Sequence, residues 1–235
     1  PGAAPLAGDT IEDLKKVSGK IIYEGYGTTE TACLATSTPW GGKIKPGTVG
    51  VPLPDTDIKI VDLSDPQKEL AVGEAGEIAI KGPQVMMGYY KKPGDTEIAL
   101  IDGWFLTGDI GRFDEDGYLS IVDRKKDMII AGGYNIYPVE LDDVLMGHPK
   151  ILEACAVGIP HEYRGETVKA FIVTKEGEIL TEEEVTGYCK ENLAAYKVPK
   201  IFEFVDELPK STVGKVLRRK LKEMELAKMK NETDA

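Results

Sequence analysis

The chain changes texture once, near Lys126, and that change limits the folds open to it. Before it, short apolar stretches alternate with Gly and Pro turns: Ile58–Val61, Glu77–Lys81, and Tyr118–Val122 behind the turn pair Asp116-Gly117. Period-two alternation bounded by turn residues predicts strands, and several short ones predict a small β-rich, barrel-like unit. Ahead of that unit, a helix over Thr10–Lys16 and a strand over Lys20–Glu24 read as the end of a larger α/β layer. Beyond Lys126 the pattern turns α+β. Pro138 can open a helix through Leu145, with Leu141, Val144 and Leu145 on one face. Strands are expected at Leu152–Val157 and Val168–Thr174. Thr181 and Glu184 have capping-box spacing, and their helix should turn Val185, Tyr188 and Leu193 inward. A strand at Ile201–Val205 precedes a last helix carrying Leu217, Leu221 and Met224, whose polar end, Lys228–Ala235, is expected to fray. The expected fold class is α/β and α+β: residues 1–125 as the end of an N-terminal α/β layer plus the barrel-like subdomain, and 126–235 as a compact α+β domain.

At 235 residues the chain can bury more than one core, and 42% hydrophobic with 29% charged residues is ordinary for a globular protein. The net charge of -11 argues against a nucleic-acid partner, which selects for a basic surface. No apolar run approaches the roughly 20 residues of a membrane span. The chain opens on Pro1, with no basic stretch leading into an apolar one, so a processed product or a piece of a longer protein is expected, in the cytoplasm. Cys33, Cys155 and Cys189 are odd in number and lack CxxC spacing, so buried thiols in a reducing compartment are expected. His148 and His161, beside Pro149 and Pro160, are expected in loops and give little material for a histidine-based nucleophile.

Five short patterns could carry chemistry. Tyr26-Gly27-Thr28-Thr29-Glu30 follows an apolar stretch; a glycine turn there lets amides and hydroxyls approach a phosphate, and Glu30 is a hard oxygen ligand suited to Mg²⁺. The same pentad could equally be a hairpin or capping turn. Asp109 ends Gly103-Trp-Phe-Leu-Thr-Gly-Asp109 and could accept from a ribose diol; Arg124, across the Asp116-Gly117 turn, could be brought beside it, or the two could be a plain surface pair. Lys125-Lys126-Asp127 sits where the texture changes, as a hinge or a solvated charge run. Ala131-Gly132-Gly133-Tyr134-Asn135 would let backbone pass close to a ligand, or simply turn a hairpin. Lys215, behind Gly214 and ahead of a basic helix, could aim one ammonium at an anionic reacting group or sit solvated at a helix start.

Taken in this order, the patterns resemble the adenylate-forming superfamily of acyl-CoA synthetases, luciferases and adenylation domains. Gly76–Tyr90 and Gly132–Glu140 are most similar to long-chain fatty-acyl-CoA ligases, and the resemblance runs from Gly2 to about Leu221. It implies that Gly2, Ala3 and Ala4 form one side of an adenine pocket and that Tyr26 stacks on the base. It further implies that Gly27, Thr28 and Thr29 meet the α-phosphate, that Glu30 binds Mg²⁺, and that Asp109 and Arg124 hold the ribose hydroxyls. Lys126 would be the pivot of a mobile C-terminal domain, and Lys215 the catalytic cation of adenylation. Gly132, Gly133 and Tyr134 would line the pantetheine channel, with Arg164 and Lys190 on coenzyme A phosphates; Asn135 stands where relatives often carry arginine.

The implied activity joins a fatty acid to coenzyme A at the expense of ATP, through an acyl-AMP intermediate. The superfamily's upstream Ser/Thr/Gly-rich phosphate loop and the rest of its N-terminal half have no counterpart in this sequence, so the isolated 235 residues are expected to show little activity. An aryl-CoA ligase, a carrier-linked adenylation domain, and a non-catalytic nucleotide- or CoA-binding module are the alternatives. Acyl chain length, homo-oligomerisation and peripheral membrane contact are left open by the sequence.

Overall fold

The computed structural model describes residues 8–212 and 214–233; Gly2, Ala3 and Ala4 lie outside the described residues. The chain divides into two compact units, Pro1–Lys125 and Lys126–Ala235.

In the first unit, helix α1 (Gly8–Ser18) precedes a three-stranded antiparallel sheet of β1 (Gly25–Tyr26), β2 (Thr36–Ser37) and β3 (Val51–Pro52). The strand expected over Lys20–Glu24 does not form. The Thr38 amide still reaches the Glu24 carbonyl at 2.8 Å, but the partner segment then leaves in a turn closed by the Gly42 amide on the Pro39 carbonyl at 3.0 Å. A second sheet holds β4 (Asp57–Val61), β5 (Gly76–Lys81), β6 (Leu100–Ile101), β7 (Trp104–Phe113) and β8 (Leu119–Arg124), with helix α2 (Pro93–Ala99) ahead of β6. This sheet curls into the expected barrel-like form. Ile60, Ile78, Ile80 and Leu119 fill its inner face, and Ala35, Tyr26 and Val49 from the smaller sheet's segment pack against them. Gly50 lets the lead-in to β3 pass close against β2. It has φ +85°, and a Cβ there would lie 2.0 Å from the Ser37 carbonyl carbon.

In the second unit, the hairpin β9 (Ile129–Ala131) and β10 (Tyr134–Ile136) leads into α3 (Pro138–Met146). A long hairpin of β11 (Ile151–His161) and β12 (Gly165–Thr174) follows, then α4 (Glu182–Asn192), β13 (Ile201–Phe204) and α5 (Arg218–Thr233). The sheet order is β10-β9-β12-β11, with β13 parallel to β12. Both faces of the long hairpin are covered. Ala154, Ala156, Val168, Ala170 and Ile172 share a core with Leu141, Leu145, Val185 and Cys189, whereas Cys155, Val157, Ile159, Phe171 and Val173 share one with Leu221. Burial on two sides explains the near-continuous apolar runs and makes both strands longer than their expected spans.

The capping box forms as the spacing predicts: the Glu184 amide donates to Thr181 Oγ1 at 3.3 Å, and the Thr181 amide to Glu184 Oε2 at 3.1 Å. Inside α4, Val185 and Cys189 are the buried pair, with Tyr188 half-buried. On α5 the expected apolar face is corrected. Leu217 precedes the helix, and both it and Met224 are exposed. The inward row is Leu221, Glu225 and Met229, because buried Lys169 places its ammonium 2.7 Å from Glu225 and compensates that charge. The helix continues through Lys228 to Thr233. His148 lies in the turn after α3 against Tyr188, while His161 closes strand β11 rather than sitting in a loop.

Candidate functional site

A bulge in β7 builds the centre of the first unit's site. β5 and β7 pair at Glu77↔Ile110 and again at Ala79↔Leu106, so Thr107-Gly108-Asp109 stands opposite the single residue Ile78. The extra residues leave the ladder, and side chains recapture their amides. Asp109 N–H donates to Thr107 Oγ1 at 3.1 Å, Thr107 Oγ1 donates to the Ile78 carbonyl at 3.0 Å, and Gly108 N–H donates to Glu77 Oε1 at 3.1 Å. Gly108 has φ +72°, which glycine adopts without strain. Bulges re-aim side chains, and this one turns the Asp109 carboxylate toward Tyr26 and Arg124.

On the other edge of β7, strand β8 sets Arg124 in register with Asp109, as the sequence allowed. Arg124 Nε lies 3.5 Å from Asp109 Oδ1, and Tyr26 Oη donates to Asp109 Oδ2 at 2.7 Å. The Asp109 side chain is 15% exposed and that of Arg124 51%. So open a pair adds at most about 1 kcal/mol, too little to explain the arrangement by stability. What it leaves is a carboxylate fixed from two sides beside a guanidinium with donors facing solvent. Burial, reinforced by the Asp109 charge, pushes the Tyr26 phenol well above its ordinary value, so it is a hydrogen-bond donor throughout the neutral range.

Tyr26 ends β1, and the chain then folds back tightly. A Cβ on Gly27 would sit 2.5 Å from the Cys33 carbonyl oxygen, and the Cys33 amide donates to the Thr28 carbonyl at 3.0 Å. Thr29–Thr31 forms one 3-10 turn inside this loop. Thr28 Oγ1 is buried; it stands near enough to Glu30 to favour that carboxylate's charge, yet among the described residues no group meets it with hydrogen-bond geometry. Glu30 is held at both ends: its carbonyl accepts from the Met86 amide at 2.8 Å and its Oε1 from Tyr89 Oη at 2.9 Å. Burial pushes the Glu30 carboxyl up, but its own backbone amide and the Tyr89 and Thr28 hydroxyls outweigh burial and keep it below its usual range. Thr29 is exposed beside them. Cys33, expected to be buried, is exposed with φ +79°, because the fold-back requires a left-handed turn there; Cys155 and Cys189 are buried. No group of three or more His, Cys, Asp or Glu side chains converges among the described residues.

In the second unit, Gly132 and Gly133 turn the β9–β10 hairpin with φ +61° and +82°. Arg164 packs over this turn: the Gly132 amide donates to its carbonyl at 2.8 Å, and a Cβ on Gly132 would lie 3.5 Å from Arg164 Nε. Tyr134 stacks on Tyr196 with ring centroids 4.6 Å apart. The structure thus groups Gly132, Gly133, Tyr134 and Arg164. Lys190 is separate, exposed in the last turn of α4 with no hydrogen bond or ion pair to that group among the described residues. Lys215 lies on a tight loop closed by the Ser211 amide on the Lys215 carbonyl at 2.8 Å and the Lys215 amide on Ser211 Oγ at 3.1 Å. Its side chain is exposed and has no ion pair among the described residues, and α5 starts three residues later. Lys126 begins the second unit.

Residues 2–90 match the family model of the AMP-binding enzymes, and residues 140–215 match that of the AMP-binding enzyme C-terminal domain. The chain belongs to the AMP-binding enzyme family. A long-chain-fatty-acid–CoA ligase of Escherichia coli O157:H7 is 46% identical over 98% of this chain, and one of Bacillus subtilis is 49% identical over 95%. A 2-succinylbenzoate–CoA ligase of Geobacillus kaustophilus is 42% identical over 95%. The chain spans 40% of the length of the two fatty-acid ligases and 45% of the third. Among solved structures, ATP-bound MatB from Rhodopseudomonas palustris aligns with TM-score 0.88 at 39% identity, over 95% of this chain and 44% of that one. The o-succinylbenzoate CoA synthetase of Bacillus subtilis, in complex with its acyl-adenylate intermediate, aligns with TM-score 0.81 at 35% identity, over 94% and 45%.

Two residues of this family member were not singled out from sequence. Tyr89 lies inside the Gly76–Tyr90 stretch, but nothing in that stretch ties its hydroxyl to Glu30, 59 positions away. Glu77 sits in a strand whose first five residues are all buried, but in the sequence it reads as the polar half of an alternation, so no local signal marks it.

Proposed function

We propose that the whole protein carrying this sequence is an ATP-dependent fatty acid–CoA ligase. The observation that carries this reading is the Tyr26–Asp109–Arg124 arrangement, a carboxylate fixed on a bulge beside a half-exposed guanidinium, in a family member 46–49% identical to fatty-acid–CoA ligases. Asp109 accepts from the ribose diol and Arg124 donates to it. Tyr26 keeps Asp109 oriented and offers its ring to adenine, with Gly2, Ala3 and Ala4 on the base's other side. Gly27 lets the loop approach the α-phosphate, and the buried Thr28 hydroxyl, with Thr29, donates to it.

The donor set fits magnesium carried on a nucleotide. Mg²⁺ takes one or two protein carboxylates and completes its shell with phosphate and water, and Glu30 is one carboxylate kept charged and oriented by Tyr89. When bound there, the ion would offset charge on the phosphates. Lys215 supplies the cation for the moment when a carboxylate oxygen of the acid attacks the α-phosphorus and pyrophosphate leaves. Coenzyme A thiolate then attacks the acyl carbonyl, and AMP leaves. The Gly132–Tyr134 turn lines the pantetheine path, Arg164 and Lys190 meet coenzyme A phosphates, and Lys126 is the pivot between the two steps. The buried thiols of Cys155 and Cys189, neither of them in a disulfide, fit a reducing, cytoplasmic setting; burial raises the Cys189 thiol to about 11.

The test is product analysis of the whole protein with ATP, Mg²⁺, coenzyme A and a panel of acids. Fatty acyl-CoA and AMP in equal amounts are expected. Turnover of 2-succinylbenzoate alone would move the assignment to the aryl ligases, and nucleotide binding without any product would reduce it to a binding module.

A further inference from the structure

We infer that Glu77 is the positioning residue that holds the ribose site in shape, acting through the Thr107–Asp109 bulge and through Lys125. This rests on the reading of Asp109 and Arg124 as ribose contacts. The Glu77 carboxylate is 5% exposed and spends one oxygen on each of two loads: Oε1 accepts from the Gly108 amide at 3.1 Å, and Oε2 meets Lys125 Nζ at 2.7 Å. Those partners flank the ribose residues directly, Gly108 preceding Asp109 and Lys125 following Arg124. Backbone closes the same loop, since the Lys125 amide donates to the Gly108 carbonyl at 2.8 Å. One buried carboxylate therefore ties together the two strands that carry Asp109 and Arg124.

A strand does not need such a residue. Register at Glu77↔Ile110 is satisfied by the ladder, and an apolar side chain there would suit the buried run Gly76–Ile80 better. The bulge does need it, because the Gly108 amide has left the ladder and is aimed at this carboxylate. Lys125 is 38% exposed, so its ammonium offsets the buried charge while remaining hydrated. Lys125 is also the last residue of the first unit, so the same contact fixes the point from which the chain departs.

The test compares ATP with 2′-deoxy-ATP and 3′-deoxy-ATP in acid-dependent pyrophosphate exchange by the whole protein. Three variants are made: Glu77→Gln, Lys125→Met and Lys125→Arg. The unaltered protein should prefer ATP. Glu77→Gln should raise the KM for ATP about tenfold, leave the deoxy analogues within about twofold and change kcat little, because only the diol contact loosens. Lys125→Met should move the same way by a smaller factor, and Lys125→Arg should restore the preference. If Glu77→Gln is not recovered folded, the Lys125 pair decides. Equal losses with all three nucleotides, or an unchanged preference for ATP, would reduce Glu77 to scaffold and overturn the inference. Exchange that is robust in the unaltered protein but indifferent to the ribose hydroxyls would overturn the ribose assignment instead. Absence of any exchange would remove the functional reading and this inference with it.

Discussion

Tyr26 and Asp109 lie 83 positions apart in the chain and meet hydroxyl to carboxylate at 2.7 Å. The contact joins the end of β1 to the bulge of β7, so the two candidate halves of a nucleotide site are one hydrogen-bonded object. It also links site geometry to pH.

Replacing Tyr26 by Phe removes that donor and should lower stability by about 1 kcal/mol and raise the KM for ATP about threefold. Burial and the Asp109 charge raise the Tyr26 pKa in the folded state. Below about pH 10 both folded and unfolded forms keep the proton and the contribution is complete. Above that the unfolded form ionises first, so stability falls as pH rises. Urea titrations between pH 8 and 11 should show this fall in the unaltered protein and a shallower one in Tyr26→Phe.

Lys169 is 7% exposed and sits between Glu203 and Glu225 at 2.7 Å from each. Lys169→Met would leave the buried Glu225 with only the more distant Lys228, 3.6 Å away, at a cost of about 3 kcal/mol. Hydrogen exchange should report the loss in β12, β13 and α5, with the Trp104–Arg124 strands unchanged. Uniform loosening of both units would contradict a local role.

Gly132 turns the β9–β10 hairpin at φ +61° with only ordinary contact toward Arg164. Gly132→Ala should therefore cost about 1 kcal/mol from backbone strain rather than from collision. Steady-state kinetics should show a higher KM for coenzyme A with the KM for ATP unchanged. A rise in both would remove the hairpin from the coenzyme A path.

Lys215→Arg keeps the charge but spreads it over a planar guanidinium. Adenylation should fall by about two orders of magnitude, the scale of losing one placed electrostatic contact, while thioester formation from preformed acyl-AMP is spared. Equal loss of both steps would show that Lys215 serves binding or folding rather than adenylation.

Much of this was legible in the sequence where a local rule had no competitor. The Asp116-Gly117 turn between β7 and β8 allowed Arg124 to be placed beside Asp109, and Thr181 with Glu184 announced the cap of α4. What was not legible depended on long-range pairing. The Lys20–Glu24 strand failed because its partner segment turns away after Thr38, a fact invisible to local alternation. Leu217 and Met224 look like core residues until the buried Lys169 draws Glu225 inward and rotates the apolar face of α5. Glu77 reads as the polar half of an alternating strand, and only the register slip opposite Thr107–Asp109 shows what its carboxylate holds.

The most direct measurement is fatty-acid-dependent exchange of labelled pyrophosphate into ATP by the whole protein, with coenzyme A left out. Exchange that requires the acid and Mg²⁺, proceeds without coenzyme A, and drops in Asp109→Ala is the expected result. Exchange that appears only with coenzyme A, or that Asp109→Ala leaves intact, would contradict an acyl-adenylate formed at this site.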